Sequence, residues 1–343
     1  MKRSVIASCW FFCILFLANV QAQEKTFSNP LIPSGADPYS TFHDGYYYYT
    51  NTVGGDRIIL KKTKNLADLK NAETKVIWKA PANTMNSKQL WAPEVHFIDG
   101  KWYAYYAADD GNNDNHRMYV VENPEKDPFK GEWKFKGKLA TPSDKWAIDA
   151  NVFKHRGQLY MIWSGWEGDK NGRQDIFIAK MKNPYTMEGE RVKISSPTLE
   201  WERNWRGGPE VYVNEGPQFL KRGKNIFIVY SASGCWTDYY SLGLLKLEGK
   251  DLLKTDNWEK SPEPLFTTSK ENGVYAPGHN SFFKSPNGKE DWILYHANDN
   301  PGDGCGGKRS PRMQVIKWAK DGTPEFGPPV STKSVLPVPS GAE

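Results

Sequence analysis

One hairpin design recurs five times along the chain and limits the folds that the chain can adopt. In each copy a phenylalanine leads into a short polar turn with a glycine, and a strand rich in aromatic or β-branched residues follows. The turn glycines recur at intervals of 55, 57, 66 and 65 residues, at Gly45, Gly100, Gly157, Gly223 and Gly288. A repeat of this length holds about four short strands with their loops. The sequence therefore predicts an all-β fold, a five-bladed β-propeller, with a β-sandwich of similar hairpins as the alternative.

The first 22 residues have the composition of a signal peptide. A basic start precedes a mostly apolar run from Val5 to Val20, and small residues follow it. This run is shorter than the roughly 20 apolar residues of a membrane-spanning helix. We expect residues 1–22 to be removed and residues 23–343 to form a single propeller domain. The mature protein is then predicted to be secreted or periplasmic, with no membrane attachment.

Charge and cysteine content restrict the partners of the protein. The chain has 45 Lys and Arg against 40 Asp and Glu, a formal net charge of +5. This small excess does not indicate a nucleic-acid partner, and we expect a monomer. Two of the four cysteines lie in the leader, which leaves Cys235 and Cys305 in a compartment where a disulfide can form. Their spacing alone leaves the pairing open.

Three carboxylates occupy the same position relative to the repeated hairpin. Asp37, Asp149 and Glu215 each stand eight residues before the turn glycine of their repeat. Equal offsets along a strand point side chains in the same direction, and the innermost strand of each blade would direct them to the propeller axis. Ala92 takes this position in the second repeat, and His279 takes a similar one in the fifth. The three carboxylates are therefore predicted to converge in one pocket.

Converging carboxylates can perform glycoside hydrolysis. Burial and mutual repulsion raise the pKa of at least one of them, and a protonated carboxyl beside an ionised one provides an acid and a base. The acid protonates the leaving oxygen while the base activates water. Taken singly, Asp37, Asp149 and Glu215 also fit ordinary turns or loops. Their shared offset favours the catalytic interpretation.

Aromatic residues and a histidine adjoin the carboxylate position. Trp91 and Trp146 are predicted to face the pocket, where sugar rings can stack on them, although packing between blades is the alternative. His279 fits two interpretations equally, a buried structural histidine and a ligand of an ion on the propeller axis.

Several motifs resemble those of glycoside hydrolase family 43 along essentially the whole mature chain. Gly35–Pro38 is similar to the family's motif with the general base, and Ala147–Ala150 to that of the carboxylate that tunes the acid. Asn214–Pro217 is similar to the general-acid motif, and Trp91–Glu94 and Ala276–His279 also match.

The resemblance implies a role for each site residue. Asp37 would be the general base, Glu215 the general acid, and Asp149 the residue that raises the pKa of Glu215 and orients it. His279 would belong to a central ion or water cluster, and Arg312 would contact substrate. No cofactor is required, and the only ion that the resemblance suggests is a structural calcium or sodium ion on the propeller axis.

The resemblance also implies a substrate class. Segments such as Asp56–Ile58 and Val274–Ser281 look most like those of exo-acting α-L-arabinofuranosidases, inverting enzymes that would remove arabinofuranosyl residues from arabinan or arabinoxylan of plant cell walls. The partner would be a pentose-containing oligo- or polysaccharide. The alternatives are a β-xylosidase, an endo-xylanase or an endo-arabinanase of the same family, or a carbohydrate-binding propeller without catalysis.

Overall fold

The repeated hairpins fold into tight antiparallel pairs. A computed structural model of the protein describes residues 25–342, so the predicted signal peptide lies outside the described residues. In the first hairpin, His43 pairs with Tyr46 across an Asp-Gly turn whose φ values are 49° and 79°. Positive φ at both central residues defines a type I′ turn, whose twist suits antiparallel strands. The turns at Gly100 and Gly157 repeat this geometry. The polar residue before each of these glycines therefore has a structural purpose in the turn.

Between residues 25 and 342 the long strands form five antiparallel units of consecutive strands. Unit 1 contains β2 (Tyr39–His43), β3 (Tyr46–Val53), β4 (Arg57–Thr63) and β5 (Glu73–Lys79). Unit 2 contains β6 (Lys88–Ile98), β7 (Lys101–Asp109), β8 (Arg117–Asn123) and β9 (Lys134–Leu139). Unit 3 contains β10 (Ala147–His155), β11 (Gln158–Gly165), β12 (Arg173–Asn183) and β13 (Thr186–Ser195). Unit 4 contains β14 (Tyr212–Arg222), β15 (Asn225–Ala232), β16 (Ser241–Leu247) and β17 (Trp258–Lys260). Unit 5 contains β18 (Tyr275–Lys284), β19 (Asp291–Asn298) and β20 (Ser310–Val315).

Short elements complete the described chain. The short strands are β1 (Thr26–Phe27), β21 (Lys317–Trp318), β22 (Pro324–Glu325) and β23 (Leu336–Pro337). The 3₁₀ turns span Leu66–Asn71, Asn113–Asn115, Glu200–Glu202 and Thr255–Asn257. A two-residue parallel contact between β12 and β14 links units 3 and 4. No helix among the described residues is long and apolar enough to cross a membrane.

The first strands of neighbouring units lie side by side. Contacts run from β2 to β6, β10, β14 and β18, and β18 contacts β2 again. The first and last described segments meet beside the fifth unit. There β1 pairs with β23, and the side chain of Asn29 bonds the backbone carbonyl and amide of Met313. One shared space is bordered by the segment before β2 and by the amino ends of β10, β14 and β18.

The hydrophobic core is divided among the contacts between neighbouring units. One cluster combines side chains of units 1 and 2, and further clusters join units 2 and 3, 3 and 4, 4 and 5, and 5 and 1. At the contact between units 3 and 4, for example, Phe153 stacks on Phe219 with ring centroids 4.0 Å apart. Each sheet thus buries a face against both neighbours, which fixes the positions of the strand ends that carry the polar residues.

Candidate active site

The position shared by the carboxylates has an unusual backbone conformation. The φ angle is 54° at Asp37, 42° at Ala92, 61° at Asp149 and 45° at His279. In the fourth unit the left-handed residue is the glycine directly after Glu215, with φ 54°. Such a conformation costs a residue with a side chain about 1–3 kcal/mol and is concentrated at functional sites. In β10 and β14 it coincides with an interruption of the strand register, as in a β-bulge, which redirects the side chains at the strand entrance.

The three carboxylates and His279 line one cavity of about 480 Å³. Six of the seven site residues predicted from the sequence lie in its wall, namely Asp37, Trp91, Trp146, Asp149, Glu215 and His279. Polar, aromatic and sulfur-bearing residues complete the wall, among them Gln174, Cys235, Trp236, Cys305 and Arg309. The cavity thus combines carboxylates with aromatic rings, which is the composition that a sugar-binding site needs.

Asp37 is surrounded by basic groups. Its Oδ1 lies 3.1 Å from Nη1 of Arg309 and 3.3 Å from Nδ1 of His279. Burial acts to raise the pKa of Asp37, but the charges of His279 and Arg309 outweigh it and hold the pKa well below its ordinary value. Asp37 is therefore ionised at neutral pH.

Glu215 and Asp149 have the opposite electrostatic environment. Burial is the main cause that raises both pKa values, that of Asp149 to about 7, and repulsion from Asp37 adds to it. The hydroxyl of Tyr240 donates a hydrogen bond of 2.7 Å to Oε1 of Glu215. The amide of Gly216 donates one of 2.9 Å to Oδ2 of Asp149. Glu215 is thus disposed to hold a proton beside an ionised Asp37.

The charge of His279 interacts with those of the three carboxylates. Burial acts to lower its pKa, but Asp37, Asp149 and Glu215 together raise it above the ordinary value. Its backbone amide donates to Oγ of Ser231 over 2.7 Å. Within residues 25–342, no group of three or more His, Cys, Asp or Glu side chains is arranged to hold a metal ion. The contact of His279 with Asp37 makes the histidine a partner of the ionised carboxylate, and the axial ion stays a prediction.

The prediction for Arg312 needs correction. Its side chain is fully buried in β20 and donates to Asp299 over 2.5 Å, and it is absent from the cavity wall. Residues alternate between the two faces of a strand, and Arg309, just before β20, extends to Asp37 instead. Sequence reasoning chose the arginine in the family-like motif and missed the one in the preceding loop.

The aromatic walls are supported from behind. The ring of Trp91 stacks on His116 with centroids 3.9 Å apart, and Trp146 stacks on Trp166 with centroids 4.8 Å apart. Nδ1 of His116 lies 2.9 Å from Asp109, and neither side chain is exposed. Trp146 is only 3% exposed, so it both lines the cavity and packs against the core. Pocket-facing and structural roles are therefore combined in one residue.

A disulfide bridges two loops at the cavity. Cys235 of unit 4 is bonded to Cys305 of unit 5, with their Cα atoms 5.3 Å apart. The bridge anchors the loop that precedes β20 and carries Arg309, and both cysteines line the cavity. The structure thus settles the pairing that the sequence left open.

The fold and the acidic, aromatic cavity together are those of a glycoside hydrolase. Comparison with known proteins agrees with this class and is more specific. The family described as "Glycosyl hydrolases family 43" matches residues 27–324, and the chain belongs to this family.

Characterised relatives share a narrower description. The chain is 42% identical to an "Extracellular exo-alpha-(1->5)-L-arabinofuranosidase" of Streptomyces avermitilis, over 91% of this chain and 65% of the relative. It thus spans just under two thirds of that protein's length. A protein of the same description from Streptomyces chartreusis is 38% identical over 82% of this chain and 85% of its own length. The crystal structure of an alpha-L-arabinofuranosidase from Lactobacillus brevis matches with a TM-score of 0.83 at 37% identity, over 90% of this chain and 98% of the other.

Proposed function

We propose that the chain is an inverting α-L-arabinofuranosidase that removes arabinofuranosyl residues from arabinan or arabinoxylan. The observation that carries the proposal is the difference between two carboxyls in one cavity. Asp37 is kept ionised by Arg309 and His279, while burial raises the pKa of Glu215. A protonated acid and an ionised base in one pocket are what single-step hydrolysis of a glycosidic bond requires.

In this mechanism one proton is taken up as another is given away. Asp37 accepts a proton from water while the water oxygen bonds to the anomeric carbon of the sugar. Glu215 gives its proton to the departing glycosidic oxygen as the bond between that oxygen and the anomeric carbon breaks. Asp149 acts on Glu215 through its charge and through its hydrogen bond with the amide of Gly216, next to the acid. The mechanism uses no cofactor.

The ring of five units is the scaffold of this proposal. We take the units as the blades of a five-bladed propeller, because the first strands contact one another around a ring and β18 contacts β2. The five clusters that each join two neighbouring units support the same view. In a propeller the entrances of the innermost strands surround the axis, where several repeats can each supply one catalytic residue.

The sugar and the location are proposed from the relatives. Those from the two Streptomyces species are described as exo-acting on α-(1→5)-linked arabinofuranose and as extracellular. A secreted protein also agrees with the composition of the first 22 residues and with the disulfide between Cys235 and Cys305. We propose a pentose-containing polysaccharide or oligosaccharide as the partner.

The proposal is tested with two synthetic substrates and natural oligosaccharides. Wild type is expected to hydrolyse 4-nitrophenyl α-L-arabinofuranoside much faster than 4-nitrophenyl β-D-xylopyranoside, and to release arabinose from arabino-oligosaccharides. Glu215→Gln should lose about 10²- to 10⁴-fold on the oligosaccharides, because their leaving groups need the acid. Glu271→Gln, at an exposed position, is the matched control and should leave the rates unchanged.

Three outcomes would count against parts of the proposal. Release of xylose in place of arabinose would overturn the sugar assignment and leave the acid–base mechanism standing. Full activity of Glu215→Gln on oligosaccharides would refute its role as the acid. A folded wild type that releases no sugar would favour a carbohydrate-binding propeller instead.

A further inference from the structure

Two buried side chains that do not line the cavity contact the two catalytic carboxylates from behind. Tyr240 lies just before β16 and is fully buried, and His296 lies in β19 and is 1% exposed. Their rings are parallel within 3°, with centroids 5.8 Å apart. Tyr240 is hydrogen-bonded to Glu215, the proposed acid, and His296 to Asp37, the proposed base. The stacked pair of rings therefore contacts both catalytic residues.

Tyr240 can only donate a hydrogen bond to Glu215; it cannot accept one from it. Its hydroxyl donates to Oε1 of Glu215 over 2.7 Å. Because burial and the neighbouring negative charges raise the pKa of Tyr240 well above its ordinary value, the hydroxyl keeps its proton and remains a donor. An oxygen that accepts this bond is the carbonyl-like oxygen of a protonated carboxyl group. The proton of Glu215 is therefore left on Oε2.

The position of the Tyr240 ring is fixed by its surroundings. A Cβ atom on Gly278 would lie 2.2 Å from Cε1 of Tyr240, so the ring rests directly on the glycine backbone. The next residue, His279, is held in turn by the hydrogen bond from its amide to Oγ of Ser231. The close approach of Gly278 therefore restricts the movement of the Tyr240 ring.

His296 acts on the backbone of the base. Its Nδ1 lies 3.1 Å from the amide nitrogen of Asp37 and 3.4 Å from Oδ1 of the same residue. The amide can only donate, so Nδ1 accepts and the proton of the neutral ring is on Nε2. Burial lowers the pKa of His296 to about 4, which agrees with a neutral ring. Nε2 has no hydrogen-bond partner among residues 25–342, so the bond to Asp37 is the contact that orients the imidazole.

We propose that Tyr240 and His296 are paired positioning residues, with Tyr240 selecting the oxygen of Glu215 that carries the proton and His296 holding the left-handed peptide of Asp37. The inference rests on the proposed function. Neither residue gains or loses a proton in the reaction. During turnover the proton leaves Oε2 of Glu215 for the departing oxygen, while Tyr240 continues to donate to Oε1. His296 holds Asp37 at the φ of 54° from which its carboxylate reaches water.

Leaving-group dependence separates the two roles. A 4-nitrophenolate leaves without much acid assistance, whereas the sugar oxygen of an arabino-oligosaccharide needs it. Tyr240→Phe should lower kcat on arabino-oligosaccharides about 10- to 100-fold, and on 4-nitrophenyl α-L-arabinofuranoside by much less, with KM nearly unchanged. The basic limb of the pH profile of Tyr240→Phe should move to higher pH. The carboxylate form of Glu215 loses a hydrogen-bond donor, which raises the pKa of Glu215. The other charged groups around Glu215 are unchanged in this variant, namely Asp37, Asp149, His279 and Arg309.

Substitution of His296 should lower kcat to a similar extent on both substrates. Water attack is needed whatever the leaving group, so His296→Leu should lower kcat by a similar factor on each. His296→Asn, whose amide oxygen can take the place of Nδ1 as acceptor, should recover part of the rate. Tyr239→Phe, at the neighbouring residue with 64% exposure, is the control for the tyrosine variant.

The outcomes distinguish this inference from the proposed function. Equal losses of Tyr240→Phe on both substrates, with an unshifted pH profile, would overturn the positioning role of Tyr240 while wild-type activity still supports the proposed function. Failure of His296→Asn to exceed His296→Leu would overturn the role of His296. A wild type that hydrolyses neither substrate would overturn the proposed function and this inference together.

Discussion

Burial raises the pKa of each carboxylate in the cavity and basic partners lower it, and the net effect differs from residue to residue. Asp37 has two basic partners within 3.3 Å and stays ionised. For Asp149, burial together with repulsion from Glu215 and Asp37 outweighs the attraction of His279 and raises the pKa to about 7. The shared offset from the turn glycine could predict that these side chains converge. It could not predict their protonation, because the basic partners come from the distant residues His279 and Arg309.

Asp149→Asn is expected to stabilise the protein at alkaline pH. The folded chain holds the proton of Asp149 between the ordinary pKa of 3.8 and about 7, so its ionisation costs stability as pH rises through this interval. Thermal unfolding should show a Tm several degrees above wild type at pH 8 and close to wild type at pH 4. Asp256→Asn, at an exposed position, is the control. The same Tm shift at both pH values would contradict the raised pKa.

At the scale of the element, the left-handed residue at each strand entrance aims the side chains. Gly216 has a φ of 54°, and a Cβ there would lie 3.3 Å from the ring of His279. Gly45, in the first hairpin turn, also has a positive φ of 79°, but its Cβ would have no neighbour within 4 Å. The hairpins themselves were predictable from local turn chemistry, whereas the interruptions of register in β10 and β14 were found only in the structure.

The two glycines allow the effects of strain and contact to be separated. Alanine at either position should lower the free energy of unfolding by about 1 kcal/mol, because a side chain disfavours the left-handed backbone. Only Gly216→Ala displaces His279 from Asp37, so it alone should lower kcat. Chemical denaturation and steady-state kinetics on both variants check this. An equal kcat for Gly216→Ala and Gly45→Ala would contradict the proposed importance of the His279 contact.

The disulfide connects two loops whose pairing the sequence could not specify. Cys235 and Cys305 are 70 residues apart, and a bridge across a loop of this size stabilises a fold by about 4 kcal/mol in the chain-entropy model. The double variant Cys235→Ser and Cys305→Ser should lower Tm and raise KM, because the loop that carries Arg309 loses its anchor. Calorimetry and kinetics with and without reductant check this. Reductant should have no further effect on the variant, and an unchanged KM would show that the bridge is not needed to hold Arg309.

At the scale of the whole molecule, stability comes from five similar contacts between neighbouring units. The period of the turn glycines could predict the number of repeats, because each repeat has the same local design. The sequence could not show how the last unit meets the first. In the structure β18 contacts β2, and the amino-terminal segment lies along β20. The burial of Arg312 and its contact with Asp299 were likewise seen only in the structure.

A substitution of Asn29 tests how the segment before β2 is attached to β20. Its buried side chain bonds the carbonyl and the amide of Met313, each over 3.0 Å. Asn29→Ala leaves both groups without these bonds and should lower the free energy of unfolding by about 1–3 kcal/mol, with kcat nearly unchanged. Ser28→Ala, at the neighbouring residue with an exposed hydrogen bond, should cost much less. Equal losses for the two variants would contradict the stabilising role of this junction.

In the proposed reaction Asp37 activates water while Glu215 protonates the leaving oxygen in a single displacement. The most direct test is an NMR time course of the anomeric signals during hydrolysis of an aryl α-L-arabinofuranoside. Because water attacks from the face opposite the leaving group, the first sugar released should be the β-anomer, and Asp37→Asn should release almost none. Release of the α-anomer first would mean retention through a covalent intermediate and would contradict the role of Asp37 as a base.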